Sequence, residues 1–266
     1  MKEDIINALR RMDVKWAGNQ IEYLQNVDST NDYAKKMAMD GGVHGLVVSA
    51  EEQSGGKGRR GRSWVTPAKT AIAMSMVLRP DMRPDKASML TLVAGLAVAQ
   101  AIREVTNLPA FLKWPNDVVI HGKKVTGILT EMTMRNTEID FVILGIGINV
   151  NVTEFPEELA GIATSLLLES GKKVDRTELM AACLKYFEKD YEVFMKDENL
   201  SGLKDAYEQI LANRDRHVRV LETGSEYAGI ARGIDEVGQL LVEKEDGTVT
   251  KVYAGEVSVR GIYEYV

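Results

Sequence analysis

One cysteine, Cys183, is the whole thiol content of this 266-residue chain, so no internal disulfide can staple it and a reducing compartment is expected. The three histidines, His44, His121 and His217, stand in unrelated contexts. No His/Cys/Asp cluster has zinc spacing and no hydroxyl sits in a nucleophile elbow, so metal ligands are expected to be absent and a covalent nucleophile has no candidate. No apolar run reads as long enough to cross a membrane, and Lys2, Glu3 and Asp4 interrupt any signal-peptide core. Positive charge is also scarce: 33 Lys+Arg against 39 Asp+Glu leaves a net charge of −6, which argues against bulk nucleic-acid binding. Low-complexity segments and internal repeats are missing. With 45% hydrophobic and 27% charged residues, the expectation is a soluble, cytoplasmic globular protein with no membrane partner, large enough for one sizeable domain and a small one.

Against this acidic background one stretch is cationic. Residues 55–64 read Gly-Gly-Lys-Gly-Arg-Arg-Gly-Arg-Ser-Trp, four glycines and four cations with no acid among them. The glycines allow close approach to a ligand. Lys57, Arg59, Arg60 and Arg62 supply donors for phosphate and carboxylate oxygens, bidentately from arginine. Such a loop is expected to repel itself when empty and to order around an anion; a solvated basic turn is the plainer reading. Gly56-Lys-Gly-Arg-Arg-Gly61 matches G-x-G-x-x-G, with Asp81 twenty residues on. A dinucleotide fingerprint needs a helix to open at the third glycine, however. Here Trp64, Val65 and Pro67 follow, and then residues 71–78 alternate like a strand. The phosphate-loop pattern G-x-x-x-x-G-K-[ST] fails on spacing.

In chain order, residues 4–12 have the spacing of a short amphipathic helix through Ile5, Leu9 and Met12. About 26 residues precede Val27, too few for a DNA-reading domain with its own core. A strand over 21–27 delivers the chain to Asp28-Ser-Thr-Asn31, which opens a helix to about 39. Ser29 with Asp32 fits a capping box, the reading that spacing favours; alternatively Ser29, Thr30 and Asn31 offer hydroxyl and amide groups to a small polar ligand. A strand over 46–52 feeds Gln53 and the glycine loop. A helix from about 84 to 106 is apolar on nearly every face and so belongs against a sheet. Then come a strand stopped at Pro115, a hairpin turning at His121-Gly122, and a strand over 138–151 in which Gly145 and Gly147 permit close approach. Residues 175–194 form a long amphipathic helix holding Cys183 as a small core residue, and a second helix covers 202–211. Beyond 216 the pattern turns to short strands at 217–221, 227–234, 240–244, 249–253 and 256–262, with turns such as Thr223-Gly224, Val237-Gly238 and Asp246-Gly247. The fold class expected is α+β, with a mixed, largely antiparallel sheet and helices, followed by a small barrel of SH3-like size. The divisions expected are a short extension over 1–26, a main domain over 27–212 and a small domain over 213–266.

Taken together these motifs resemble the biotin protein ligases. Asp28-Ser-Thr-Asn31, Glu52-Gln53 with the glycine loop to Trp64, Lys113-Trp-Pro-Asn-Asp117, Lys124-Val-Thr-Gly-Ile-Leu-Thr-Glu131, Gly145-Ile-Gly-Ile-Asn-Val150 and Ala254-Gly-Glu-Val-Ser-Val-Arg260 occur in that family's order. The resemblance implies a catalytic fold related to class II aminoacyl-tRNA synthetases, with biotin as substrate, ATP as cosubstrate and Mg2+ with it. Biotin and MgATP would give biotinyl-5′-AMP and pyrophosphate, and the biotinyl group would pass to one lysine of a biotin carboxyl carrier domain. It also implies roles. Ser29, Thr30, Asn31 and Gln53 would surround biotin, and Lys57, Gly58 and Arg59 would wrap the intermediate. Arg59, Arg60 and Arg62 would meet phosphates, and Trp64 would cover the nucleotide, with Asn116 and Asn149 at adenine and ribose. Lys124 would neutralise charge at the activated carboxyl, and Asp117 would hold the incoming amine. Lys57 stands where the family usually has Arg, Gly55 where Ala is common, and Thr126 where a small residue adjoins Lys124. The helix-turn-helix of bifunctional members is not expected here, and a homodimer is implied by resemblance alone. A lipoate or octanoyl transferase-type relative shares the fold, and a biotin-responsive binding module without turnover is the non-enzyme alternative; the basic loop argues against the first.

Overall fold

The computed structural model describes residues 1–64, 66–222, 225–254, 258–261 and 265–266. The expected turn at Thr223-Gly224 and the centre of the closing motif, Gly255 to Val257, lie outside the described residues. The main sheet has seven strands, β1 (Ile21–Val27), β2 (Val47–Gln53), β3 (Ala71–Leu78), β4 (Phe111–Lys113), β5 (Asp117–Ile120), β6 (Lys123–Arg135) and β7 (Glu138–Asn149), in the order β1-β2-β3-β7-β6-β5-β4. Only β1 and β2 run parallel; the other neighbours are antiparallel, as the mixed pattern predicts.

The two faces are covered unequally. On one, α3 (Met89–Thr106) and α5 (Arg176–Asp197), separated in the chain by the short α4 (Leu166–Ser170), bury the large side chains Ile72, Met74, Met76, Ile146 and Ile148. By length and composition the segment Pro84–Thr106 could cross a membrane, contrary to the reading of the sequence. Its apolar window is 72% buried inside the protein, so it serves as a core helix. On the other face α2 (Thr30–Met39) packs Ala34 and Ala38 over Val48, Val77, Phe141 and Ile143. Ten residues make a helix of about 15 Å, and α2 runs along β3 from Ser75 toward Arg79, whereas the twelve residues of β7 extend roughly 40 Å. The sheet beyond its N-terminus is left for something else.

The first 26 residues are not a detached extension. In α1 (Lys2–Arg11) Ile5, Ala8 and Leu9 are buried in the main core, and β1 begins at Ile21. The Glu188 carboxylate on α5 accepts the backbone N–H groups of Lys15, Trp16 and Ala17 at 2.6–3.0 Å. Five later strands, β8 (Arg216–Glu222), β9 (Ser225–Ile234), β10 (Leu240–Glu243), β11 (Val249–Val252) and β12 (Ser258–Gly261), form a second antiparallel sheet, with β11 and β12 at its two edges. It is bolted to the main sheet where β4 ends. The Trp114 indole donates to Gly238 O at 3.0 Å, and the Trp114 N–H donates to Asn213 Oδ1 at 2.9 Å. Trp114 is fully buried, so the corner before Pro115 is a structural joint.

One core group is out of balance. Asp190 on α5 is 2% exposed, and its Oδ2 has no hydrogen-bond partner among the described residues. Burial pushes its carboxyl up to about 7, with Lys189 opposing weakly. Stability from its neutral form is fully present below the ordinary carboxylate range and is lost as pH rises through about 7. Asp190→Asn is therefore expected to match the native chain near pH 4. At pH 8 it should exceed it by on the order of 2–4 kcal/mol in urea unfolding; a difference independent of pH would contradict this account.

Candidate active site

The uncovered part of the sheet is floored by small residues in register. Ala73 pairs with Gly147 and Gly147 with Gly127; Ser75 pairs with Gly145 and Gly145 with Leu129. Glycine in a strand interior marks a place where another group comes close. A Cβ at Gly145 would lie 2.1 Å from Asn31 Oδ1, and one at Gly147 would lie 2.4 Å from Trp64 Cε2. The floor therefore seats Asn31 from α2 and the indole of Trp64 from the loop. The resulting cavity is also lined by Ser29, Thr30, Gln53, Lys57, Gly58, Arg59, Asn116 and Lys124. All eight residues expected around biotin converge here.

Their hydrogen bonds refine the expected roles. Ser29 Oγ caps α2, accepting from the Asp32 N–H at 3.4 Å, so the capping reading holds. Thr30 donates from its backbone N–H and its hydroxyl to Gln53 Oε1 at 2.8 and 3.0 Å, and Gln53 Nε2 donates to Thr66 Oγ1 at 3.0 Å. Asn31 is gripped from below: Ser75 Oγ lies 2.6 Å from its Oδ1, and its Nδ2 donates to Glu131 Oε2 at 2.6 Å. Sequence reasoning missed Ser75 and assigned Glu131 no role. A hydroxyl in the otherwise apolar strand Ala71–Leu78 was the available signal.

The glycine loop is tied in several places. Gly55 N–H donates to Asp28 O at 2.8 Å, Gly58 N–H to Arg62 O at 2.7 Å, and Trp64 N–H to Gly56 O at 2.8 Å. No helix opens at Gly61, only a short 3-10 turn over Arg59–Gly61, in which Arg60 takes a left-handed φ of 59°. The expectation of four self-repelling cations needs correction. Lys57 pairs with Asp32 at 2.7 Å, and the Arg59 guanidinium donates to Asn116 Oδ1 at 2.9 Å and to Ala254 O at 3.1 Å. Arg60 and Arg62 remain exposed. Burial holds Arg59 below its ordinary value, with the charges of Arg60 and Arg62 adding to the effect against Asp117.

Arg59, Trp64, Asn116 and Lys124 also line a second, larger cavity of about 420 Å³, together with Arg60, Arg62, Lys113, Asp117, Asn149 and Arg260. It brings together every residue expected at the nucleotide. Val119 pairs with Lys124 and Val118 with Thr126, which leaves Val125 as a β-bulge. Bulges re-aim side chains, and here the Lys124 ammonium comes over Gly127. Lys124 Nζ lies 2.6 Å from Asp117 Oδ1. Burial alone would raise the Asp117 carboxyl, but Lys124 and Lys113 hold it below the ordinary carboxylate range. Lys113, which the sequence reading passed over within its own motif, is 6% exposed, and burial brings its ammonium down to about 8. The amides are engaged by backbone: Asn116 Nδ2 donates to Ile128 O at 3.1 Å and Asn149 Nδ2 to Thr164 O at 3.2 Å. Thr126 is fully buried with its hydroxyl unpartnered among the described residues, while Lys123 is exposed at the hairpin and Lys173 is likewise at the surface. Among the described residues no three His, Cys, Asp or Glu side chains converge on a metal-sized site. The arrangement joins a slot whose Ser29–Asn31 and Gln53 wall is made of neutral polar groups to a strongly cationic chamber. If the glycine floor seats Trp64, Gly147→Ala should lift the indole and cost about 1–3 kcal/mol. Tryptophan emission should move to longer wavelength, and the shift should disappear when Trp64→Phe is combined with it.

Two family models match the chain: the biotin/lipoate A/B protein ligase family over residues 23–149, and the biotin protein ligase C-terminal domain over 215–260. The bifunctional ligase/repressor BirA of Bacillus subtilis is 36% identical over 244 residues, covering 91% of this chain and 74% of the relative. The biotin–[acetyl-CoA-carboxylase] ligase of Mycobacterium tuberculosis is also 36% identical, covering 90% of this chain and 88% of its own. Among solved structures, the biotin protein ligase of Aquifex aeolicus in complex with biotin and ATP superposes with a TM-score of 0.80 at 32% identity, covering 91% of this chain and 99% of that one. With its floor of strand glycines, its basic loop and these relatives, the chain belongs to the biotin protein ligase family.

Proposed function

We propose that this chain is a biotin–protein ligase, forming biotinyl-5′-AMP from biotin and ATP and then an amide with a lysine of a biotin carboxyl carrier domain. The observation that carries the reading is the junction of the two cavities. Lys124 and Arg59 line both, so a carboxylate in the polar slot and a phosphate in the cationic chamber would meet between them. In the first step a biotin carboxylate oxygen attacks the α-phosphorus, a P–O bond forms, and the bond to pyrophosphate breaks. Two anions must approach each other, and Lys124, Arg59, Arg60 and Arg62 supply the fixed positive charge that offsets their repulsion. Mg2+ arrives with the nucleotide's phosphates, which commonly keep it with few protein ligands; the described residues build no cage for it.

The remaining assignments belong to the same reading. Ser29, Thr30, Asn31 and Gln53 bound the biotin end, with Lys57 and Gly58 closing over the intermediate. Ser29 Oγ acts first as a helix cap, so its contribution to the ligand is through the placement of Thr30. Trp64, whose buried indole N–H has no partner among the described residues, faces the nucleotide with Asn116 and Asn149. Asp117 receives the acceptor amine. Residues 27–212 form the catalytic unit and 213–266 the small one, with the 1–26 segment packed into the former's core. A cytoplasmic setting agrees with the lone buried Cys183. A homodimer is supported by β1, which ends the seven-stranded sheet and offers an edge to a second copy.

The test is ATP–pyrophosphate exchange with and without biotin, followed by transfer of labelled biotin to a carrier domain. Exchange should require biotin, and the carrier should become labelled. Lys124→Ala should lower exchange by about 10²–10³-fold, the effect of losing roughly 3–4 kcal/mol of charge stabilisation. A variant exchanging at the native rate would remove Lys124 from this role, and an unlabelled carrier would refute the activity.

A further inference from the structure

The C-terminal end of the chain returns to the catalytic sheet. Tyr265, the penultimate residue, donates its hydroxyl to Asp117 Oδ2. Its ring lies beneath Lys113, with Nζ 4.0 Å from the centroid, a cation–π contact that fixes the ring's place. The other Asp117 oxygen faces Lys124 Nζ at 2.6 Å, so both oxygens of a carboxylate that is only 8% exposed are engaged. Tyr265 lies beyond Arg260, where both the motif series and the C-terminal family match end.

We infer that Tyr265 is a positioning residue for the transfer step, holding Asp117 in place to receive the acceptor amine once Lys124 has turned to the acyl-adenylate. The inference rests on the ligase reading above. Lys124 is a point charge on a flexible stem, and an adenylate in the cavity offers it an anionic phosphate. When it turns there, Asp117 Oδ1 is freed toward the cavity. Without a second tether the carboxylate could also rotate. The Tyr265 hydroxyl supplies that tether and remains a donor throughout, because burial and the adjacent Asp117 charge push it well above the ordinary phenol value. The charged groups facing this pair are Lys124 from β6, Lys113 from β4, Arg59 and Arg62 from the loop, and Arg260 from β12. In the step itself the lysine ammonium sheds one proton to solvent, and its nitrogen attacks the acyl carbon. The C–N bond forms and the acyl C–O bond breaks, its electron pair leaving on AMP. The second proton also passes to solvent.

The two half-reactions separate the possibilities in the full-length chain. Tyr265→Phe keeps the ring over which Lys113 sits and removes only the hydroxyl. Biotin-dependent ATP–pyrophosphate exchange should stay within about twofold. Single-turnover transfer from preformed biotinyl-5′-AMP to the carrier domain should slow about tenfold, as for one lost hydrogen bond to a charged acceptor. Because that bond favours the charged carboxylate, its loss raises the Asp117 value, and the acid limb of the transfer profile should move to higher pH. In an Asp117→Asn background the further change Tyr265→Phe should have no effect. Native transfer with an unmoved acid limb overturns the inference, as does equal slowing of both half-reactions, or a tenfold effect that persists with Asp117→Asn. Absence of biotin-dependent exchange in the unaltered chain would instead overturn the ligase reading, and this inference with it.

Discussion

Where two neighbouring strands carry glycine at the same register position, the sheet has no side chain with which to fill the space above it. Gly127 beside Gly147, with Gly145 and Ala73 next to them, is that bare patch. Since α2 is too short to cover it, the patch becomes a cavity instead of core. Everything at the site leans on it: Asn31 and Trp64 occupy positions that any Cβ would contest. The polar chain Gln53–Thr30–Ser75–Asn31–Glu131 then fixes the rim. A buried network of this kind holds its geometry because any missing partner would leave a desolvated polar group.

The second constraint is charge. The chamber beside the slot gathers Arg59, Arg60, Arg62, Lys113, Lys124 and Arg260 in a chain whose net charge is −6. Asp117 is the buried anion among them, and it pairs with Lys124. Lys57 is similarly paired with Asp32 and Arg59 with backbone and amide oxygens. These contacts give the loop a defined shape within the chain. Arg59 also joins the loop to the C-terminal unit through Ala254, and Trp114 joins the Lys113–Asp117 corner to it through Gly238. The small C-terminal unit is thereby part of the site's frame.

Much of this is legible in the order of the residues alone. Strand glycines at 145 and 147, the basic loop and the Lys113–Asp117 corner are local patterns, and local patterns report backbone geometry and charge directly. The buried face of α3 is legible for the same reason, although its apolar length also satisfies the composition of a membrane span and needs the packing to decide its place. Less is legible where function depends on partners distant in sequence. Ser75 reads as a lone hydroxyl in a strand until Asn31 is set above it, and Lys113 reads as a motif's first letter until burial and Asp117 surround it. The first 26 residues look separable because their one short helix has a polar face. Only α5, about 170 residues later, shows what covers the other.

By itself the sequence determined the α+β alternation, the succession of short strands at the C-terminus, and one cationic glycine-rich segment in an acidic chain, because each depends on periodicity or composition within a few residues. The tertiary structure alone decided which glycines align across β6 and β7, which cations already have partners, and that Tyr265 meets Asp117 from 148 positions away. Those outcomes depend on strand register and on the folding back of distant segments, and neither is written in the spacing of neighbouring residues.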